Sequence, residues 1–385
     1  MTDNKPNFIA KLILLLGANL TLGAGGSLSP AMPAMLDYYS GISGAALWVS
    51  LMITLPALFV VIGGPLAGFL SDKFGRKPVL VFSILIGGVA GSAGAILGPI
   101  WVILLTRAFV GLSIAGALTA TNALIADYFD GQKRAQFMGY QSAIGGLNVV
   151  FFLPLGGLLA GINWRLTFLA YLPLLLLFPL AFLFIYEPRV VSKSGEPPIK
   201  HKLQLQPSVI YIYTAVFFSQ FAFITIPIFI AYYMTDLLGV SPLAVGLASA
   251  ASGFFSFVAG LFYERIGRKI HFRNLSIIGF VLMGLGFVIL GVAESWVLVI
   301  SGQLIVGFFL GLMFANLTTW LADQVRAVVR GRANGLFVTM MFLGSFITSF
   351  VFTPIASATS YHVVFILSGV IIILTGLAAL FLKPD

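Results

Sequence analysis

The 385-residue chain has no cysteine, three histidines and few charges; Asp, Glu, Lys and Arg together make up 9% of it. Without cysteine there is no disulfide, no thiolate nucleophile and no cysteine metal site. His201, His271 and His362 stand too far apart to form a metal-ligand run, so neither a metal nor another cofactor is indicated. Soluble domains carry about 25% charged residues, and a chain with 9% cannot cover a water-facing surface. Its 59% hydrophobic content and mean hydropathy of +1.06 make lipid its main solvent. A secretory signal is not expected: the first apolar stretch, 9–36, is broken only by Lys11, exceeds a signal core and lacks a small-residue cleavage pattern. The net charge of +9 would suggest nucleic acid as partner in a soluble protein. Here the basic residues sit in short loops between apolar runs, which makes them an orientation signal and removes the nucleic-acid reading.

About 20 apolar residues cross a bilayer as a helix. Cutting the chain at charge clusters and Gly/Pro turns gives twelve such runs: 9–36, 47–70, 79–97, 100–126, 137–161, 166–186, 208–235, 243–263, 274–293, 296–322, 334–358 and 363–382. Long continuous runs mean helices, not barrel strands. With the N-terminus inside, the inner loops hold sixteen basic residues, from Lys73, Arg76 and Lys77 to Arg326, Arg330 and Arg332, and the outer loops hold only Arg165. Both termini are therefore expected in the cytoplasm. The polar segment 187–207, EPRVVSKSGEPPIKHKLQLQP, reads as a linker between a first bundle, 1–186, and a second, 208–385.

The densest charge lies in GFLSDKFGRK, 68–77, which recurs as GLFYERIGRK at 260–269, an offset of 192. Both read glycine, three residues, acid, base, one residue, glycine, arginine, lysine. ALIADYF at 123–129 corresponds to TWLADQV at 319–325, which sets Asp127 opposite Asp323 at offset 196. Each is followed by a basic loop. Two homologous six-span halves follow, as in transporters built from repeats. Gly68 suits a close helix approach and Gly75 a tight turn. Asp72 and Asp127 would both lie at inner helix ends, where the planar fork of Arg76 is placed to bridge the two carboxylates. Glu264, Arg268 and Asp323 would repeat the arrangement. Lys73 and Lys77 read as topology anchors.

With twelve spans, a central linker and this loop signature, the chain resembles the major facilitator superfamily over essentially its whole length. Within it the chain is most similar to the twelve-span drug:proton antiporter group, through SPAMPAML (29–36), LTRAFVGLSIAG (105–116) and PLGGLLAGINWRLTF (154–168). The resemblance implies an all-α membrane protein with two pseudo-symmetric six-helix bundles. It implies a monomer in the bacterial inner membrane, a small-molecule substrate, protons as the coupling partner, and a loop that latches the outward-open state. It also matches Arg107 to the group's fourth-span arginine, linked there to proton coupling or substrate response. Two departures stand out: Val110 replaces a glutamine before Gly111, and Phe152 and Leu153 stand where the group has Gly-Pro.

Arg107, two turns into the fourth span, is the one strong interior charge. An intramembrane arginine must face protein or a wet cavity; the alternative to a coupling role is bonding to carbonyls or to Asn19, Gln141 or Asn148. No Asp or Glu lies mid-span. Asp37, after the flexible stretch 23–33, is the candidate carboxylate at the cavity mouth, and Asp236 reads as an outer-surface residue. Asn19, Asn122, Gln141, Asn148, Gln220, Gln303 and Asn316 are the candidate polar lining of a cavity near the midplane. Gln303 matches Arg107 at offset 196. Three functions are weighed: proton-coupled export of amphipathic compounds; a specific carrier of a metabolite, sugar or siderophore, with or without proton coupling; and a membrane enzyme or receptor. The sequence shows no clustered nucleophile, base or nucleotide-binding segment for the third.

Overall fold

The computed structural model describes residues 6–187, 206–326 and 329–382. The expected linker lies outside these except for Glu187, Gln206 and Pro207. Twelve helices are long and apolar enough to cross a membrane. They are α1 Phe8–Tyr38, α2 Ala45–Phe74, α3 Arg76–Ala93, α4 Ile100–Tyr128, α5 Gly131–Ile162, α6 Trp164–Phe184, α7 Pro207–Asp236, α8 Pro242–Gly267, α9 Phe272–Gly291, α10 Trp296–Gln324, α11 Arg330–Ala358 and α12 Tyr361–Phe381. Each expected run falls on one of them. Their ends follow local chemistry: the side chains of Asn7, Ser241, Ser295 and Ser360 accept from backbone N–H groups three residues on, and Pro207 and Pro242 open their helices. In α1 the run of glycines and Pro30 tightens residues Ala24–Ala31 into a 3-10 stretch.

Helices α1–α6 pack as one bundle and α7–α12 as another. Their pseudo-symmetry extends to single contacts. A Cβ at Gly111 of α4 would meet the Pro56 carbonyl of α2 at 2.3 Å, and one at Gly307 of α10 would meet the Ser252 carbonyl of α8 at 2.2 Å. Both members of the second pair lie 196 residues after those of the first. Only glycine lets these helices touch backbone to backbone.

The bundles join at one face and part at the other. At the face opposite the basic loops, Thr54 of α2 shares a 2.7 Å hydrogen bond with Ser349 of α11, and Ser50 shares a 2.9 Å bond with Thr353. All four side chains are buried. The Tyr232 hydroxyl of α7 donates to the Met32 carbonyl of α1 at 3.0 Å. The other seam, between α5 and α8, is packed through glycines. A Cβ at Gly246 would lie 2.4 Å from the Leu153 carbonyl, and one at Gly157 would lie 2.5 Å from the Pro242 carbonyl. One apolar cluster accordingly runs from Met32, Met35 and Met52 into the second bundle. Toward the basic face the first bundle keeps a core of its own, to which the second contributes one buried residue, Phe342. There, added Cβ atoms at Gly64 and Gly68 of α2, or at Gly331 and Gly335 of α11, would meet open space. The expected close approach at Gly68 is thus not made in this conformation, because α2 and α11 diverge below their hydroxyl contacts.

Candidate functional site

The charged knot folds into a junction of three helix ends. Gly75 turns the chain from α2 into α3 with φ of +97°, a conformation that favours glycine. Arg76 becomes the first residue of α3, and its Nε lies 2.9 Å from Asp127 Oδ2 at the end of α4. With side chains only 21% and 24% exposed, this pair is partly withdrawn from water and weakly screened. Arg76 reaches one of its two expected carboxylates: Asp72 is exposed on α2 and outside the pair.

The second acid at the junction is Glu187, just beyond the end of α6. Its carboxylate accepts from the backbone N–H of Arg76 (2.8 Å) and of Lys77 (2.7 Å). It satisfies two orphan donors of α3 and sits at the positive end of its dipole. A Cβ on residue 75 would collide with this carboxyl at 2.8 Å, so the glycine serves both turn and cap. Sequence reasoning missed Glu187, since backbone N–H groups carry no residue signature and the acid opens a segment that reads as linker. Glu187 is exposed, and Glu187→Ala is expected to lower stability by about 0.5–2 kcal/mol, with Glu187→Gln intermediate, measured as the thermal midpoint of the purified protein.

Arg107 occupies the other end of the same helix. It is 0% exposed. Its Nη2 donates to the carbonyls of Ala90 (3.0 Å) and Gly91 (2.9 Å) in the last turn of α3. Its guanidinium lies 4.9 Å from the Phe168 ring and 5.2 Å from the Tyr171 ring of α6. These rings fit because Gly91 and Gly94 have no side chain; a Cβ at either would stand 2.2 Å from ring carbon. The cation therefore lies inside the first bundle and complements the negative end of α3. Helix α3 is held between an anion from α6 and a cation from α4.

The second bundle does not reproduce the junction. Gly267 ends α8 without a positive φ, so Arg268 becomes the cap of α8 and not the start of α9. It pairs with Glu264 one turn back on the same helix, both about three-quarters exposed. Asp323 is exposed on α10. The sequence echo is real, but the expected Glu264–Arg268–Asp323 tie between helices is not formed, because the chain reverses direction without the Gly75 turn.

The uncharged candidates divide by bundle. Asn19 donates to the carbonyls of Leu15 (2.8 Å) and Gln141 (3.1 Å), and Asn148 donates to the Asn19 carbonyl at 2.8 Å. They bind α1 to α5 within the first bundle, Gln141 through its backbone. Asn316 is fully buried and ties α10 to the Phe272 carbonyl (3.0 Å) and the Ser276 hydroxyl (2.9 Å) of α9. Gln303 is also fully buried, with Nε2 4.0 Å from Met234 Sδ of α7. Gln220 is partly buried, with its Oε1 lacking a hydrogen-bond partner, and Asn122 is exposed on α4. Asp37 and Asp236 are both exposed at the face where the bundles join. In this conformation the face that carries Asp37 is closed by the α2–α11 and α5–α8 seams.

Two stretches, 14–226 and 212–385, match the family model described as Major Facilitator Superfamily. The chain belongs to the Major Facilitator Superfamily. Over 366 residues it is 28% identical to "Tetracycline resistance protein, class G" of Vibrio anguillarum, covering 91% of each chain. It is 25% identical over 366 residues to "Quinolone resistance protein NorA" of Staphylococcus aureus, covering 91% of this chain and 92% of that protein. Among solved structures, it superposes on a D-xylose–proton symporter with TM-score 0.83 at 16% identity over 98% of both chains. It also superposes on a bacterial homologue of the human lysosomal transporter Spinster, inward-facing and occupied, with TM-score 0.81 at 16% identity over 96% of this chain and 95% of that one. As a superfamily member it is a multi-pass membrane protein with two six-helix bundles.

Proposed function

We propose that the chain is a secondary active exporter of small amphipathic or hydrophobic compounds in exchange for protons, working by alternating access in a bacterial inner membrane. The observation that carries the export reading is the likeness to two resistance proteins along nine-tenths of the chain. The positive-inside pattern supports a cytoplasmic basic face and cytoplasmic termini, so the structure corresponds to a state open to the cytoplasm. The substrate path lies between the bundles. A specific metabolite carrier is the second reading, favoured by the lack of a mid-span carboxylate. Flux in liposomes with and without an imposed pH gradient tests the coupling, and the choice between an amphipathic dye and a sugar as the transported probe tests the cargo. Export of an amphipathic dye should accelerate at least tenfold with the gradient, and gradient-insensitive flux would defeat antiport.

In this reading the junction at Arg76, Asp127 and Glu187 keeps α2, α3, α4 and α6 together as the bundle rocks. Asp72 is left to act in the opposite state, when the inner end of α2 approaches the start of α11 and its positive dipole end. Asp72→Asn is then expected to slow transport about fivefold to tenfold while membrane insertion stays normal. An unchanged transport rate would remove Asp72 from the latch.

A further inference from the structure

The seam between α2 and α11 is ordered along its length. Ser50 meets Thr353 at 2.9 Å and, one turn further in, Thr54 meets Ser349 at 2.7 Å. Ser50 and Thr54 are four residues apart, as are Ser349 and Thr353, so both rungs lie on one face of each helix and the helices run antiparallel. One turn toward the outside, this register sets Ala46 opposite Ser357. Both line a cavity of about 90 Å³, together with Ser50, Thr353, Tyr232 and Tyr361. Ser357 is exposed, so the cavity reaches the surface, and its volume suits about three water molecules. Toward the inside, the register sets Ala57 opposite Phe346 and Val61 opposite Phe342. All four belong to the apolar core of the first bundle. The seam thus passes from a polar crevice through two hydroxyl rungs to an aromatic stop.

Hydroxyls are not needed merely to close such a seam. Replacing both partners of a buried hydrogen bond by apolar groups of the same shape is nearly neutral, so methyl groups would close it equally well. The difference lies in the separated state. Parted hydroxyls bond water at little net cost, whereas parted methyl groups expose hydrocarbon. Ser50 also reaches the Ala46 carbonyl of its own helix, a bond it can keep when α2 and α11 part. Among the described residues, Ser349 and Thr353 bond only across the seam, so on opening they turn to water.

Resting on the alternating-access reading above, we propose that Ser50, Thr54, Ser349 and Thr353 form the water-facing wall of the exit path for cargo. They pair with one another while this face is shut and are hydrated from the Ser357 crevice when it opens, with Phe342 and Phe346 as the apolar floor. The hydroxyls ease opening; they do not latch closure. This assigns the polar wall to side chains that carry no charge, and it is independent of proton coupling.

The chain has no cysteine, so Thr54→Cys in the full-length protein in lipid nanodiscs carries the test. Thr54 is buried here, and a charged thiol reagent should reach this position only as the seam opens. Adding Ser50→Ala, Ser349→Ala and Thr353→Val, which keep the shape of the seam, should slow the reaction roughly tenfold or more at an unchanged thermal midpoint. Spin labels on Ser43→Cys and Thr359→Cys, both exposed beside the ends of α2 and α11, should show the matching loss of the separated population when Ser50→Ala, Thr54→Val, Ser349→Ala and Thr353→Val are combined. A faster reaction in the apolar variant would make the hydroxyls a latch and overturn the proposal, and an equal rate would overturn it too. No reaction in either chain would remove alternating access itself, and the exit path with it.

Discussion

Gly157→Leu should reduce transport at least tenfold while leaving the protein inserted and folded. A Cβ at this position would stand 2.5 Å from the Pro242 carbonyl and 2.8 Å from the Leu243 Cα, both backbone atoms that cannot rotate away. Overpacking of this kind costs about 1–3 kcal/mol. The contact joins α5 to α8 across the two bundles, so the cost falls on the state closed at the face opposite the basic loops and is relieved when that face opens. A shift of 1.4 kcal/mol is tenfold in population. The neighbouring glycine acts differently: a Cβ at Gly156 would strike the Ser27 backbone of α1 at 2.2 Å, inside one bundle. Gly156→Leu should therefore lower the thermal midpoint, whereas Gly157→Leu should change the conformational balance. The natural lack of cysteine makes the measurement direct. Spin labels on Ser43→Cys and Ser357→Cys, exposed at the ends of α2 and α11, report the opening of that face. An unchanged distance together with transport within twofold of normal would show that the α5–α8 seam is not a moving contact.

The two seams explain why some of the site was legible in sequence and some was not. Span positions follow from apolar length, and the Arg76–Asp127 pair was visible because charges are rare here and recur at a fixed offset. Gly156-Gly157 stood out as a motif, but nothing in the letters says that one glycine faces α1 and the other α8. Ser50, Thr54, Ser349 and Thr353 carried no signal: hydroxyls in apolar helices usually bond to their own backbone, and only the three-dimensional pairing of α2 with α11 gives them partners. The repeat in turn over-predicted. GRK occurs in both halves, yet Arg76 starts a helix and Arg268 caps one, because only Gly75 adopts a positive φ. Identical letters thus give a tie between helices in one bundle and an exposed one-turn pair in the other.

Arg107→Leu is expected to lower the thermal midpoint by roughly 5–10 °C and to reduce transport in proportion to the folded protein that remains. The arginine donates to the Ala90 and Gly91 carbonyls from a fully buried position inside the bundle. Leaving buried acceptors unpaired costs about 1–3 kcal/mol each. Part of this is offset, since Arg107 Nε and Nη1 have no hydrogen-bond partner and their desolvation is relieved by leucine. A net loss of about 2–4 kcal/mol corresponds to the stated shift for a bundle of this size. Arg107→Lys keeps the charge at the carbonyl end of α3 but loses the planar contact with Phe168 and Tyr171, so about half the stability should return. The discriminating measurement is substrate KM in Arg107→Lys. A side chain that is 0% exposed and holds α3 through Nη2 is out of reach of cargo in this conformation, so KM should stay within twofold while the thermal midpoint falls. A large change in KM, or loss of the response to the pH gradient at full stability, would instead make Arg107 part of the coupling path and return it to the role its position in the fourth span first suggested.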